Sequence, residues 1–167
     1  MSQTIQQQRA KYAMERVLEA AKDKEIHGEY KSYASSLPAM IHTNGLGQAA
    51  AFFRSKSAFD KAENKRNKKE KAYFLLYETL SDWLCSRGNT INPMPKQPYS
   101  KPNKEKPTEN YQDMLEGITL EDMHTYRLAQ AEAQALMDWV KKFAKAFMVD
   151  ESNDNKSIPE SPQGEPS

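Results

Sequence analysis

The chain has 167 residues, of which 38% are hydrophobic and 28% are charged, and its formal net charge is +1. This length is typical of one domain that is large enough to bury a core. The single cysteine, Cys85, excludes an internal disulfide. No run of apolar residues is long enough to predict a membrane span, and no signal peptide or lipidation motif is found.

The charge is unevenly distributed along the chain. Residues 150–167 carry five acidic residues and one lysine, so residues 1–149 carry a net charge of +5. Residues 54–71 contain eight basic and three acidic residues, which also gives +5. The positive excess of the body is therefore located in this one segment.

The spacing of apolar and charged residues in 2–24 predicts an amphipathic first helix with Ser2 or Thr4 as its N-cap. The charged face of this helix, which includes Arg9 and Arg16, is typical of a solvated surface. His27-Gly28 interrupts the pattern. The apolar stripe predicted to face the core consists of Ile5, Ala10, Ala13, Met14, Val17, Leu18 and Ala21.

The middle of the chain, residues 32–53, contains no Lys, Arg, Asp or Glu. In so hydrophilic a sequence, this predicts that residues 37–53 are the buried centre of the fold. Leu37-Pro38 is typical of the first turn of a helix, and Asn44-Gly45 of its end, so that the next helix begins near Leu46.

The helix that begins near Leu46 carries small residues followed by two aromatic ones. Alanines at 49–51 allow a neighbouring helix to approach closely, while Phe52 and Phe53 supply volume for the core. We therefore expect both phenylalanines to be buried.

Residues 54–71 contain no proline or glycine, which predicts a partly helical segment with a loop near 64–67. A further helix is expected from about 68 to 87, with Gly88 just beyond its end. Its predicted buried face consists of Ala72, Leu75, Leu76, Thr79, Leu80, Trp83 and Leu84.

Residues 89–107 hold five prolines and four lysines, and we predict a mobile loop.

Residues 119–122 resemble a capping box with Asp122 in place of Glu or Gln, which predicts a helix of about 40 Å ending near Met148. Its inward positions are predicted to be Met123, Tyr126, Ala129, Ala133, Leu136, Met137, Val140, Phe143, Ala144 and Phe147. Residues 150–167 read as a disordered acidic tail.

No segment shows β alternation, so the sequence predicts an all-α fold. We expect residues 1–149 to form one compact bundle of five or six helices with a long C-terminal helix.

Glycine loops for phosphate, Cys/His zinc spacing and the HExxH motif are absent from the sequence. Glu121 and His124 make one Glu-x-x-His, half of what a di-iron bundle needs, so no metal or cofactor is predicted. His27 and His42 are interpreted as structural residues.

Two helices joined at Asn44-Gly45 also suggest a DNA-binding helix-turn-helix. A recognition helix needs polar and basic side chains to reach base edges. The helix from Leu46 offers only Gln48 before Arg54. This pattern disfavours DNA readout.

Three motifs occur in order over most of residues 5–148, and together they resemble one known family. The first and second are Arg9-x-x-x-Ala13-x-x-x-Val17, and Tyr33 with Leu37-Pro38 through Ile41-x-x-Asn44-Gly45-Leu46-x-Gln48 to Ala51-Phe52. The third is Tyr126-Arg127-Leu128-Ala129 through Glu132-Ala133 to Trp139-Val140-Lys141-Lys142-Phe143-Ala144. The chain resembles the small subunit of the type III-B, or Cmr, CRISPR effector complex. It departs from that pattern at Gln130, Ala131 and Gln134, where Thr, an acidic residue and an apolar residue are expected, and we expect these changes to affect surface contacts more than the fold.

The resemblance implies a non-catalytic, all-helical, cytoplasmic subunit that acts in antiviral defence without a cofactor. Several copies would stack as the minor filament of a ribonucleoprotein, beside the major filament that holds the guide RNA and cuts the target RNA. The implied partners are other Cmr effector subunits, further copies of the chain, and the backbones of the guide and target RNA, with no membrane. The alternative is a helical protein-interaction adaptor without nucleic-acid binding.

The resemblance also implies a basic surface that lines the groove for the RNA strands, in agreement with the positive excess at 54–71. Contacts of this kind reach phosphates and fix position without reading sequence. The predicted RNA-binding residues are Arg54, Lys56, Lys61, Lys65, Arg66, Lys68 and Lys69, with Lys141, Lys142 and Lys145 as a second candidate surface. Such a run of charge is also typical of a solvated face, and both interpretations stay open.

Overall fold

The computed structural model describes residues 2–87 and 95–149, which form six α-helices and two short 3₁₀ turns without a strand. The predicted all-α bundle of five or six helices with a long C-terminal helix is confirmed. The last helix has 25 residues and is about 37 Å long. The helices are α1 (Ile5–Ala21), α2 (His27–Asn44), α3 (Leu46–Lys56), α4 (Lys68–Leu84), α5 (Met114–Leu120) and α6 (Met123–Phe147).

Helix α4 lies in the middle of the bundle and contacts each of the other five helices. Lys71 of α4 pairs with Asp23, just after α1, whereas Tyr73 packs its ring edge on Phe53 of α3. Positions 71 and 73 are about 200° apart around a helix. Helices α1 and α3 therefore lie on opposite sides of α4, and α6 packs mainly along α1 and α2.

Helix α1 begins at Thr4, whose hydroxyl accepts the N–H of Gln7 while the Gln7 side chain accepts the N–H of Thr4. This capping box satisfies two backbone donors. The buried face of α1 consists of Tyr12, Ala13, Val17 and Ala20.

The predicted apolar stripe of α1 is only partly correct. Met14 and Leu18 are 36% and 41% exposed, and Ile5 is exposed as well. The core side is rotated toward Tyr12, whose hydroxyl donates to the backbone oxygen of Thr79 on α4 at 2.7 Å. A buried tyrosine with a satisfied hydroxyl contributes more packing than an exposed methionine, and the periodicity of aliphatic residues does not include it.

Helix α2 begins at His27, eleven residues before the predicted start at Pro38, which lies inside the helix. Proline removes one backbone hydrogen bond, but the turns before it bury Tyr30, Ala34 and Leu37, so packing sustains the helix. The predicted break at His27-Gly28 is therefore a helix start. The predicted end at Asn44-Gly45 is confirmed, since Gly45 has a φ of +85°, which favours glycine.

The uncharged middle stretch is only half core. Its buried residues include Leu37, Ile41, Leu46, Ala49, Ala50 and Phe53. The expectation that Phe52 is buried is wrong, because Phe52 is 40% exposed whereas Phe53 is 1% exposed. The α2–α3 hairpin places one side of each helix on the bundle and turns the other outward. Its exposed residues are Ser32, Ser36, Ala39, His42, Thr43, Asn44, Gln48, Ala51 and Phe52.

Residues 88–94 and 150–167 lie outside the described residues, so the predicted tail and the first part of the proline-rich loop stay predictions. Residues 95–107 are irregular, and part of this stretch packs on the bundle, while the mobility that we expected of residues 89–107 stays a prediction. Gln97, Tyr99 and Asn103 are buried, and the N–H of Tyr99 donates to the Leu84 oxygen at the end of α4. Gly117 lies flat on the Tyr99 ring, where a Cβ atom would be only 2.4 Å away.

Helix α5 was not predicted, and it shifts the start of α6. Thr119 lies inside α5, so the predicted capping box is wrong by three residues. The N-cap is Asp122, whose carboxylate accepts the N–H of Thr125 at 2.8 Å and has its pKa lowered by that bond. Met123 and Phe147, the first and last residues of α6, were predicted to face inward but are exposed.

Prediction for the core of α3. Phe53→Ala should lower the free energy of unfolding by about 3–5 kcal/mol, because it leaves a cavity beside Tyr73. Phe52→Ala should cost about 1 kcal/mol, since its ring is partly in water already. Urea denaturation of both variants measures the difference. Equal losses of stability would contradict the assignment of Phe53, rather than Phe52, to the core.

Candidate nucleic-acid interface

Glu132 of α6 connects three helices through one carboxylate. It accepts bonds from Nε and Nη2 of Arg9 on α1, at 2.7 and 2.9 Å, and from Nε1 of Trp83 on α4 at 2.8 Å. The Arg9 and Glu132 side chains are only 12% and 16% exposed. The expected solvated role of Arg9 is therefore wrong. A two-bond guanidinium–carboxylate pair of this kind fixes geometry as well as adding energy.

A second lock joins α6 to the turn between α2 and α3. The N–H groups of Leu46 and Gly47, at the start of α3, donate to the side chains of Gln130 and Tyr126, both at 3.0 Å. The Gln134 amide donates to the Pro38 oxygen at 2.8 Å. Gln130 and Gln134 thus face α3 and α2 rather than solvent, which corrects the expectation that these two departures lie at the surface.

Prediction for the Glu132 lock. Glu132→Ala and Arg9→Ala should each lower the free energy of unfolding by about 3–5 kcal/mol, because each leaves a partly buried charge unpaired. The double variant should lose clearly less than the sum of the two single losses. Chemical denaturation of the four proteins gives the coupling energy. Strictly additive losses would show that the pair does not act as a unit.

Arg54, the first candidate for RNA contact, is bound within the fold. Its Nη1 donates to Asp113 Oδ2 at 2.7 Å, and its guanidinium lies 3.6 Å from the centre of the Phe59 ring. Asp113 also accepts the Tyr77 hydroxyl at 2.5 Å and caps α5. Burial, together with this carboxylate, raises the pKa of Tyr77. Arg54 therefore holds α3 to α5, and its charge is largely compensated.

Two further candidates hold the loop between α3 and α4. Arg66 donates through Nε to the Ala58 oxygen at 3.1 Å and lies 3.7 Å from the centre of the Phe74 ring. Lys61 pairs with Glu70 at 2.9 Å. These contacts fix the loop against α4.

Three lysines, one just before α4 and two in its first turn, lack such contacts. Lys65, Lys68 and Lys69 are exposed, and none of them forms an ion pair with any residue that the structure describes. Lys68 and Lys69 occupy the first turn of α4, where the positive end of the helix dipole disfavours cations. Stability therefore does not explain these lysines. Lys56, also exposed, lies 5.7 Å from the Phe52 ring.

The second candidate surface lies in the last turns of α6. Lys142 and Lys145 are exposed, Lys141 is half-buried, and Lys142 lies 6.0 Å from the Trp139 ring.

The end of α6 and the start of α4 both contact residues 23–27. Those contacts are Lys71 to Asp23 at 2.5 Å, which lowers the pKa of Asp23, and the Val149 N–H to His27 Nδ1 at 3.1 Å. The two basic groups thus flank one end of the bundle, and a continuous track across it stays a prediction.

Among residues 2–87 and 95–149, no three His, Cys, Asp or Glu side chains are grouped so as to hold a metal ion. An open groove of about 450 Å³ lies between α1 and α4 and is lined by Arg16, Asp23, Glu63 and Lys71 among others. Arg16 pairs there with Asp82 at 2.6 Å, so it too differs from the expected solvated face. Cys85 is buried, and burial raises its pKa to about 12.

Prediction for Cys85. At pH 8 a thiol with a pKa of about 12 is almost entirely protonated, so the native protein should react very slowly with a thiol reagent. Unfolding in urea should restore the rate of an ordinary cysteine. Rapid reaction of the native chain would show that Cys85 is accessible.

The fold and these contacts define a class: an all-helical protein whose motif residues hold helices together and whose two groups of candidate basic residues flank one end of the bundle. A family model described as CRISPR-associated protein (Cas_Cmr5) matches residues 5–147, from the first residue of α1 to the last of α6. The chain belongs to this family, the CRISPR-associated Cmr5 small subunit of type III-B complexes. The resemblance of the three sequence motifs is thereby confirmed. Of the helices described, none is long and apolar enough to cross a membrane.

Proposed function

We infer that this chain is a non-catalytic small subunit of an RNA-guided type III-B effector ribonucleoprotein in the cytoplasm. Copies of it stack as a minor filament and contact the backbones of the guide and target RNA during antiviral defence. Membership of the Cmr5 family supports an association with other Cmr effector subunits. The stacking and the RNA contacts are the parts that experiment has to test.

One observation carries the RNA contact: Lys65, Lys68 and Lys69 are exposed and lack an ion pair in the described chain, and Lys68 and Lys69 lie in the first turn of α4, where the helix dipole opposes them. A phosphate placed there would meet three lysine ammonium groups and the positive end of α4. In this proposal Lys61 and Arg66 position the loop between α3 and α4, and Arg54 holds α3 to α5. Lys56 lies at the edge of the site, and Lys141, Lys142 and Lys145 remain the second surface.

Prediction for RNA binding. Replacing Lys65, Lys68 and Lys69 together by alanine should weaken binding of target RNA by the assembled complex, because up to three phosphate contacts are lost. The slope of log affinity against log salt should flatten by up to about 2–3 units. Subunit assembly and helicity should be unchanged, since these side chains have no partner among the described residues. Binding measured across a salt series tests all three expectations.

The matched control replaces three exposed lysines elsewhere, Lys11, Lys96 and Lys106, by alanine. The charge change is the same and the location differs, so the control separates a local contact from a general effect of net charge. Equal behaviour of the two triple variants would contradict the proposed site. Failure of the parent complex to bind RNA at every salt concentration would instead favour the alternative of a protein-interaction adaptor.

A further inference from the structure

Three aromatic side chains of α6 stack in a row along the helix. The rings of Trp139 and Phe143 lie 5.5 Å apart with 21° between their planes, and those of Phe143 and Phe147 lie 6.0 Å apart with 24° between them. Residues four positions apart are neighbours on a helix surface, and the same spacing leads next to position 135. That residue is an alanine, so the row of rings ends at Trp139.

An open cavity of about 240 Å³, here the Trp139 cavity, lies where a fourth ring of the row would stand. It is lined by Ala135 and Trp139 of α6 and by Gln6 and Arg9 of α1. Arg9 is bound to Glu132, so this wall is fixed by the fold. The small side chain of Ala135 thus leaves space for one flat ring system beside Trp139.

Three polar side chains line the same cavity and have no partner in the fold. Gln6, Asp138 and Lys142 are exposed, and none of them forms a hydrogen bond or an ion pair with any residue that the structure describes. Asp138 and Lys142 are four positions apart, in the order that favours an ion pair on a helix. The Lys142 ammonium group instead lies 6.0 Å from the centre of the Trp139 ring. An acceptor, a cation and an amide are therefore available to a ligand beside one aromatic ring.

An unpaired nucleobase has the groups that this cavity lacks. Its flat face can stack on Trp139, and the phosphate of the same nucleotide can contact Lys142. The Asp138 carboxylate accepts hydrogen bonds, and the exocyclic amino group of a base such as cytosine donates them. Uracil carries an acceptor oxygen at that position, so a carboxylate there disfavours it.

An aliphatic protein surface is a poorer occupant of the Trp139 cavity. It would cover Asp138 and Lys142 without pairing either charge, and unpaired charges are costly to remove from water. A nucleotide instead offers a donor to the carboxylate and an anion to the ammonium group. The chemistry of the lining therefore favours RNA over a protein at this place.

We propose that the Trp139 cavity binds one unpaired base of single-stranded RNA, of the kind that carries an exocyclic amino group. The base stacks on Trp139 as the fourth ring of the row, its amino group donates to Asp138, and its phosphate contacts Lys142. This inference rests on the proposed function, since it places RNA at the second candidate surface and adds a contact with a base to the contacts with phosphates.

Tryptophan fluorescence of the full-length chain tests the stacking. The chain has two tryptophans, and Trp83 is fully buried, so a quencher that binds at the surface acts on Trp139. Cytidine and uridine hexamers serve as probes because they have equal length and equal charge. We expect the cytidine hexamer to quench the fluorescence and to bind at least fivefold more tightly than the uridine hexamer. Equal quenching by both hexamers, or by neither, would overturn the proposal.

Binding of a labelled cytidine hexamer to variants locates the site. Trp139→Leu keeps an apolar side chain without the ring, and Ala135→Phe fills the cavity with a fourth ring. Each should weaken binding about fivefold or more, whereas Trp139→Phe should retain most of the affinity because it keeps a ring. Parent-like binding by Trp139→Leu and Ala135→Phe, with helicity unchanged, would overturn the proposal.

An aspartate variant tests the contact with the amino group. Asp138→Ala should abolish the preference for cytidine over uridine, although the loss of a negative charge favours RNA in general. The matched control is Asp60→Ala, the same change of charge at an exposed aspartate after α3, which should keep the preference. A preference that survives Asp138→Ala, or that both variants lose equally, would contradict the role of Asp138.

The assembled effector complex separates this inference from the proposed function. A complex that contains Ala135→Phe should bind RNA about fivefold more weakly than the parent complex. If its affinity and its dependence on salt equal those of the parent, the base site fails and the proposed phosphate contacts stand. If Ala135→Phe binds the hexamer normally but no longer enters the complex, a protein subunit occupies the cavity and the inference fails. If the parent complex does not bind RNA, the proposed function fails, and the hexamer titrations of the free chain still decide whether the cavity binds a base.

Discussion

The carboxylate of Glu132 is the constraint on which the bundle depends. This carboxylate belongs to α6 and accepts hydrogen bonds from Arg9 of α1 and Trp83 of α4, so one acceptor connects three helices. A partly buried charge must be paired, and this requirement fixes the register of α1 and α4 against α6. The Arg9 and Glu132 positions of the sequence motifs that resemble the Cmr5 family are thus positions of the helix lock. Their role in this fold is structural.

The helical class, the long last helix and the end of α2 at Gly45 could be predicted, because periodicity and a glycine signal are local properties of the sequence. Pro38 inside α2 could not, since the packing of the preceding turns overrides its local preference. Helix α5 was missed because seven residues, with Gly117 packed on Tyr99, give too weak a periodic signal.

The candidate site shows a different limit. The sequence located the basic segment but did not show which of its residues have partners within the fold and which do not. Asp113, the partner of Arg54, is 59 positions away in the chain. Likewise, absence of charge was interpreted as burial for Phe52, and apolar spacing for Met14. Both side chains are exposed. The sequence shows which segments are apolar or uncharged. Only the fold shows whether other parts of the chain cover them.

The proposed function would give these mismatches a common explanation, because it places the chain in an assembled complex. Exposed lysines that oppose a helix dipole and apolar faces without a cover are costly or unnecessary for an isolated bundle, but each is suited to a contact with another molecule.

Hydroxyl-radical footprinting of the free chain and of the chain within its effector complex is the most direct measurement of this account. The account predicts that the exposed side chains of Phe52 and Met14 lose reactivity on assembly, while Met123 and Leu128, which are exposed in the first half of α6, stay reactive. Unchanged reactivity of Phe52 and Met14 in a complex that contains several copies would contradict it.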